Sequence, residues 1–270
     1  LAMRGKLITW LMIISAVSCF IWAGGLAWTI QDYVSGTAGE AVKLTQPPNE
    51  ESPASQVPDD GTYQVVALGD SLTRGAGDTE GKGYVGYAHD QLDEKLEQPV
   101  TVVNYGQDGQ IASGLLKTLE RADVQANLRA ADAVLFSIGG NDLFKGGETL
   151  GNLEPAYIQT LEDAYVKQLD TILKRIRSVN QQAAIFLIGL YNPFMEQRDS
   201  KTTSQIVRDW NFGAAEVTAR YEKTVMVPTF DIFQLDVNRY LARDLFHPNS
   251  EGYRLIGERA ASLMHMEGGE

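Results

Sequence analysis

From about residue 63 onward, short apolar runs alternate with stretches of helical period. Tyr63 to Leu68, Val100 to Asn104, Ala133 to Ile138, Ala184 to Gly189 and Thr224 to Val227 are rich in β-formers and apolar on both faces. That is the pattern of strands buried inside a parallel sheet. Between them, Tyr84 to Gln98 sets Val85, Ala88, Leu92 and Leu96 at helical spacing. Ala112 to Arg129, Ala156 to Val179, Thr203 to Tyr221 and Ser250 to Met264 also read as helices. The alternation predicts a doubly wound α/β domain, its sheet covered on both faces through right-handed crossovers. Ligand sites in such sheets lie beyond the carboxyl ends of the strands, so chemistry is to be sought in the residues that follow them.

The stretch Leu7 to Ile30 breaks the pattern, with no charged residue and no polar face. As a helix it would run roughly 36 Å, against about 30 Å for a hydrocarbon core. Arg4 and Lys6 precede it and Asp32 follows; positive charge prefers the cytoplasmic side, so the rest of the chain is expected outside. Residues 1–32 are therefore expected to be a membrane anchor holding an extracytoplasmic domain. The alternative is a secretory signal, cleaved near Ala23-Gly24-Gly25 or Gly25-Leu26-Ala27, which would release a secreted protein. Residues 33–61 follow with Pro47, Pro48, Pro53 and Pro58 and few apolar side chains, the composition of an extended, disordered linker. Residues 62–270 remain for the folded domain, with no internal repeat.

Composition narrows the function classes. The chain has 270 residues, 44% of them hydrophobic, enough for a sizeable core. With 23 basic against 35 acidic residues, its net charge of −12 argues against nucleic-acid binding. The one cysteine, Cys19, excludes an intramolecular disulfide framework and a multi-cysteine metal site. Three histidines, His89, His247 and His265, leave little for a histidine-built metal centre. No metal or organic cofactor is expected.

Four segments sit where the fold places chemistry. The first strand runs into Gly69-Asp70-Ser71-Leu72, which puts a hydroxyl at a helix start, although Asp and Ser are also ordinary helix caps. The second runs into Asn104-Tyr105-Gly106-Gln107-Asp108-Gly109, where glycine lets backbone N–H groups approach a ligand or simply makes a turn. The third ends in Gly139-Gly140-Asn141-Asp142; an asparagine amide offers donors to a developing oxyanion, or an Asx-turn. The last is Asp244-Leu245-Phe246-His247-Pro248, where the carboxylate is placed to orient the imidazole.

Together these segments resemble the SGNH hydrolases, also called the GDSL family of lipases and acylhydrolases, over about Tyr63 to Met264. The matching blocks are Gly69-Asp70-Ser71-Leu72 with Gly75; Asn104, Gly106 and Gly109; Gly139-x-Asn141-Asp142; and Asp244-x-x-His247. The competing α/β-hydrolase elbow, Gly-x-Ser-x-Gly, is broken by Thr73. The resemblance implies a flavodoxin-like five-stranded parallel sheet and a carboxylic-ester hydrolase working through an acyl-enzyme. Ser71 would be the nucleophile, His247 the base and Asp244 its orienting acid. The oxyanion hole would comprise Ser71, Gly109 and Asn141. The glycine role is carried to Gly109 by its spacing after Asn104, although Gly106 also offers an N–H. Asp231 is a rival for the acid. Phe144, Phe194, Met195 and Phe246 are apolar candidates for an acyl site. The expected partners are a small-molecule, lipid or carbohydrate ester and the membrane. An O-acetylesterase or acyltransferase acting on envelope carbohydrate is the alternative, and a non-catalytic binding module a further one. Acyl-chain length and oligomeric state stay open.

Overall fold

A computed structural model describes residues 61–267. The segment expected to be an anchor or signal, the linker apart from Gly61, and residues 268–270 lie outside the described residues. Among the described residues no helix is long and apolar enough to cross a membrane.

Five strands, β1 (Tyr63–Gly69), β2 (Val100–Gly106), β3 (Ala133–Ser137), β4 (Ala184–Ile188) and β5 (Thr224–Val227), pair in parallel in the order β2-β1-β3-β4-β5. Alternate residues of a strand point to opposite faces, and the core divides accordingly. Val66, Leu68, Val134, Phe136, Ile185 and Leu187 face one apolar layer. That layer is built by α3 (Ala112–Thr118), α4 (Ala122–Ala130), α6 (Pro155–Val179) and α7 (Ser200–Thr218). Val65, Ala67, Leu135 and Phe186 face the other, covered by α2 (Gly83–Lys95) and α10 (Ser250–Glu267). The expected doubly wound α/β architecture is thus present. The chain reverses its winding between β1 and β3, and the crevice beyond that switch point is the expected ligand position.

The structure corrects one helix. Ala112 to Arg129, read as continuous, is two helices that break around Leu119-Glu120-Arg121, where Arg121 takes an extended backbone. Leu115, Leu119, Val124 and Leu128 are all fully buried. At about 100° per residue, the five-residue step from Leu119 to Val124 rotates the second pair roughly 140° away from the first. A straight helix cannot bury both pairs in one layer, so the chain turns between them.

Four short elements at the carboxyl edge of the sheet shape the site: α1 (Ser71–Arg74), α5 (Gly140–Phe144), α8 (Phe230–Gln234) and α9 (Val237–Tyr240). A 3₁₀-like stretch, Lys145–Gly151, broken by a kink at Gly146 and Gly147, follows α5. All are too short for a periodic signal.

Candidate active site

Ser71 opens α1 directly after β1. Asp70 caps that helix: its Oδ1 accepts the Leu72 N–H at 3.0 Å and the Ser137 hydroxyl at 2.6 Å. As the first helical residue, Ser71 has an N–H that no carbonyl of its own helix can take. Gly69, at φ +132°, makes the turn possible, because a Cβ there would run into the Ser137 carbonyl of β3.

The last segment folds back to meet this serine. Ser71 Oγ lies 2.8 Å from His247 Nε2, and His247 Nδ1 lies 2.6 Å from Asp244 Oδ2. The other carboxylate oxygen of Asp244 accepts the N–H groups of Phe246 and His247, each at 3.0 Å. Leu245 takes a left-handed conformation, φ +54°, inside this tight loop. The loop is held from β4's side, where the Tyr191 hydroxyl donates to the Phe246 carbonyl at 2.6 Å. Partial burial opposes the charge on Asp244, but the bonds from the His247 ring and the two N–H groups outweigh it. Together they hold its carboxyl below the usual range.

Asn141, in the first turn of α5, donates from Nδ2 to the Gln110 carbonyl at 3.0 Å. One of its two amide hydrogens remains for another acceptor. Gly109 is at φ +68° in the turn after β2, with open space where a Cβ would stand. Gly109 and Asn141 border a cavity of about 540 Å³, and Asn141 and Ser71 border a second of about 40 Å³. Asp142 braces this edge, with both carboxylate oxygens accepting the Ala112 N–H.

The rival residues fall elsewhere. Asp231 pairs with Arg259 at 2.6 Å. His89 lies beside Asp90 at 3.2 Å. Met195, one of the apolar acyl-site candidates, lines a separate cleft with Lys201 and Arg208. Phe144 and Phe246 do line the cavity beside Ser71. Among the described residues no group of three or more His, Cys, Asp or Glu side chains is arranged to hold a metal.

Sequence reading missed the support beneath the serine. Thr73 Oγ1 lies 2.6 Å from the Tyr84 hydroxyl, 2.8 Å from Ser137 Oγ and 2.8 Å from the Leu68 carbonyl. Asn104 ties β2 to α1 by donating to the Thr73 carbonyl and accepting the Gly106 N–H, both at 2.8 Å. Its traces in the sequence are Ser137, a polar residue closing an apolar strand, and Asn104 of the second matching block.

Burial pushes Asp70 up to about 6, tempered by its bonds from Ser137 and Leu72. Between the usual carboxylate range and about pH 6, folded Asp70 keeps a proton that the unfolded chain has released. Its ionisation therefore costs stability as pH rises through that window, about 3 kcal/mol in total. Asp70→Asn keeps the accepting Oδ1 and removes the titration. In urea unfolding, the stability of the wild type relative to Asp70→Asn should fall from pH 4 to 7. Parallel curves would contradict this.

The family model for the GDSL-like lipase/acylhydrolase family matches residues 67–255. The chain is 35% identical over 209 residues to the uncharacterized protein YpmR of Bacillus subtilis, covering 76% of this chain and 82% of that one. It is 26% identical over 218 residues to the spore germination lipase LipC of Bacillus licheniformis, covering 77% and 100% of the two chains. Among solved structures, the lipase Lip_vut3 from a goat rumen metagenome superposes with a TM-score of 0.68 at 23% identity, covering 74% of this chain and 96% of that one. A mutant form of Axe2, an acetyl-xylooligosaccharide esterase of Geobacillus stearothermophilus, gives 0.56 at 21% identity, covering 77% and 95%. With the fold and the order of its strand-end residues in agreement, the chain belongs to the GDSL-like lipase/acylhydrolase family, enzymes of the SGNH hydrolase fold that hydrolyse esters.

Proposed function

We propose that this enzyme cleaves carboxylic esters through a covalent acyl-enzyme on Ser71. The observation that carries the reading is the continuous chain from Ser71 Oγ through the His247 ring to Asp244, at 2.8 and 2.6 Å. Serine is a weak nucleophile unless a base takes its proton as it attacks. His247 Nε2 accepts that proton while Oγ bonds to the carbonyl carbon. Asp244 fixes the tautomer with Nδ1–H and stabilises the imidazolium. The oxyanion is taken by the Ser71 and Gly109 N–H groups and the free Asn141 amide hydrogen. His247 then protonates the departing alcohol oxygen, the tetrahedral centre collapses, and water repeats the sequence to release the acid.

A common acyl-enzyme has a kinetic signature. With methanol or hydroxylamine present, products should divide between hydrolysis and transfer in one ratio, whichever alcohol the ester carried. A ratio that changes with the leaving group would contradict the intermediate. Running sugar acceptors in the same assay separates a hydrolase from an acyltransferase on envelope carbohydrate; the likeness to an acetyl-xylooligosaccharide esterase keeps the O-acetylesterase reading in view.

Asn141→Ala removes one donor to the oxyanion. It should lower kcat by about 10²–10³ with a smaller change in KM, because the contact strengthens in the transition state. A change confined to KM in steady-state kinetics would assign Asn141 to substrate binding instead.

A further inference from the structure

We propose that the acyl half of the substrate is short, up to about four carbons, and that Phe194 limits the pocket by bracing the Phe144 and Phe246 rings that line it. The inference rests on Ser71 being the nucleophile. The cavity containing Ser71 has about 40 Å³, bordered by Asn141, Phe144, Leu190, Tyr191 and Phe246. A water-sized group needs about 10–15 Å³ of such space, so roughly three fit.

The direction of the ester follows from proton transfer. The leaving alcohol oxygen takes its proton from His247, so the alcohol stands beside that ring, whose side chain is 21% exposed. The carbonyl oxygen faces Asn141. The remaining substituent, the acyl chain, enters the small cavity beside Ser71. The roomier cavity shares Asn141 with the small one and is bordered by Gly109 rather than Ser71.

One wall of the cavity is aromatic and braced. Phe194, buried, does not line the cavity but packs against two rings that do. Its centroid is 5.0 Å from Phe144, edge to face, and 6.1 Å from Phe246; those two are 6.2 Å apart. Tyr191 stacks on Phe233 at 4.1 Å, which fixes another wall. Interiors packed in this way yield little space to a guest chain.

The test uses the full-length protein with p-nitrophenyl acetate, butyrate, octanoate and palmitate, in wild type, Ser71→Ala, Phe194→Ala and Phe194→Leu. Wild-type kcat/KM should fall at least ~10²-fold from butyrate to octanoate, since a methylene that does not fit costs ~10-fold or more. Both Phe194 variants should raise the octanoate-to-butyrate ratio about tenfold or more; the leucine variant keeps most of the packing if alanine does not fold. Octanoate or palmitate turned over as well as butyrate by wild type, but not by Ser71→Ala, would overturn the short pocket while leaving the nucleophile in place. An unchanged ratio in the folded leucine variant would overturn Phe194 as the limit on the pocket. Hydrolysis of short esters by Ser71→Ala at the wild-type rate would instead remove the underlying mechanism.

Discussion

Ser71→Ala should lower ester turnover by ~10⁶, and His247→Ala should cost about as much. In the proposed mechanism the two side chains act as one unit. The hydroxyl attacks only as its proton leaves for the imidazole, and the imidazole has no other proton to take in the first step. The double variant should therefore lose no more than either single one, retaining the ~10³–10⁴ over water that binding and oxyanion donors supply. Folding is not the cause of the loss in Ser71→Ala, because the hydroxyl's side-chain partner among the described residues is His247, which is partly open to water. Purified variants assayed against p-nitrophenyl acetate, with circular dichroism as the folding control, check this. Losses that multiply in the double variant would mean the two residues contribute separately.

Asp244→Asn should cost ~10⁴ in kcat, the scale of tautomer loss in a serine triad. The amide can still accept the Phe246 and His247 N–H groups through its oxygen, so the loop keeps its shape. What changes is the atom facing His247 Nδ1. An NH₂ donor there requires Nδ1 to accept, which moves the ring proton to Nε2, against Ser71. The base is then occupied before the reaction begins. Asp231→Asn is the matched control: Asp231 pairs with Arg259 and is 59% exposed, so its loss should leave turnover near wild type. The reverse ranking in side-by-side kinetics would reassign the acid.

Much of this was legible because parallel strands declare themselves through continuous apolar runs, and function in such folds follows the strands. The reading of β5 at Thr224 to Val227 rests on that rule, whereas the roles of Ser71, Asn141, Asp244 and His247 come from the family resemblance, Asp244 and His247 following α9 and not a strand. The split between α3 and α4 was also present in the sequence, in the five-residue step from Leu119 to Val124, but composition over a wide window conceals a phase shift. Other features depend on tertiary distance alone. Nothing local sends Met195 to a cleft with Lys201 and Arg208 while Phe144 and Phe246 line the cavity beside Ser71. The Thr73, Tyr84 and Ser137 hydroxyls come from three elements and meet only once the sheet is assembled.

The nucleophile can be tested by its chemistry alone. A fluorophosphonate captures a serine only where a neighbouring base activates it, and it remains attached. After reaction of the native protein and digestion, mass spectrometry should find a single adduct on the peptide carrying Ser71, with esterase activity lost in proportion to labelling. An adduct on another residue that tracks the loss of activity, or unlabelled protein that still hydrolyses esters, would contradict the mechanism proposed for this site.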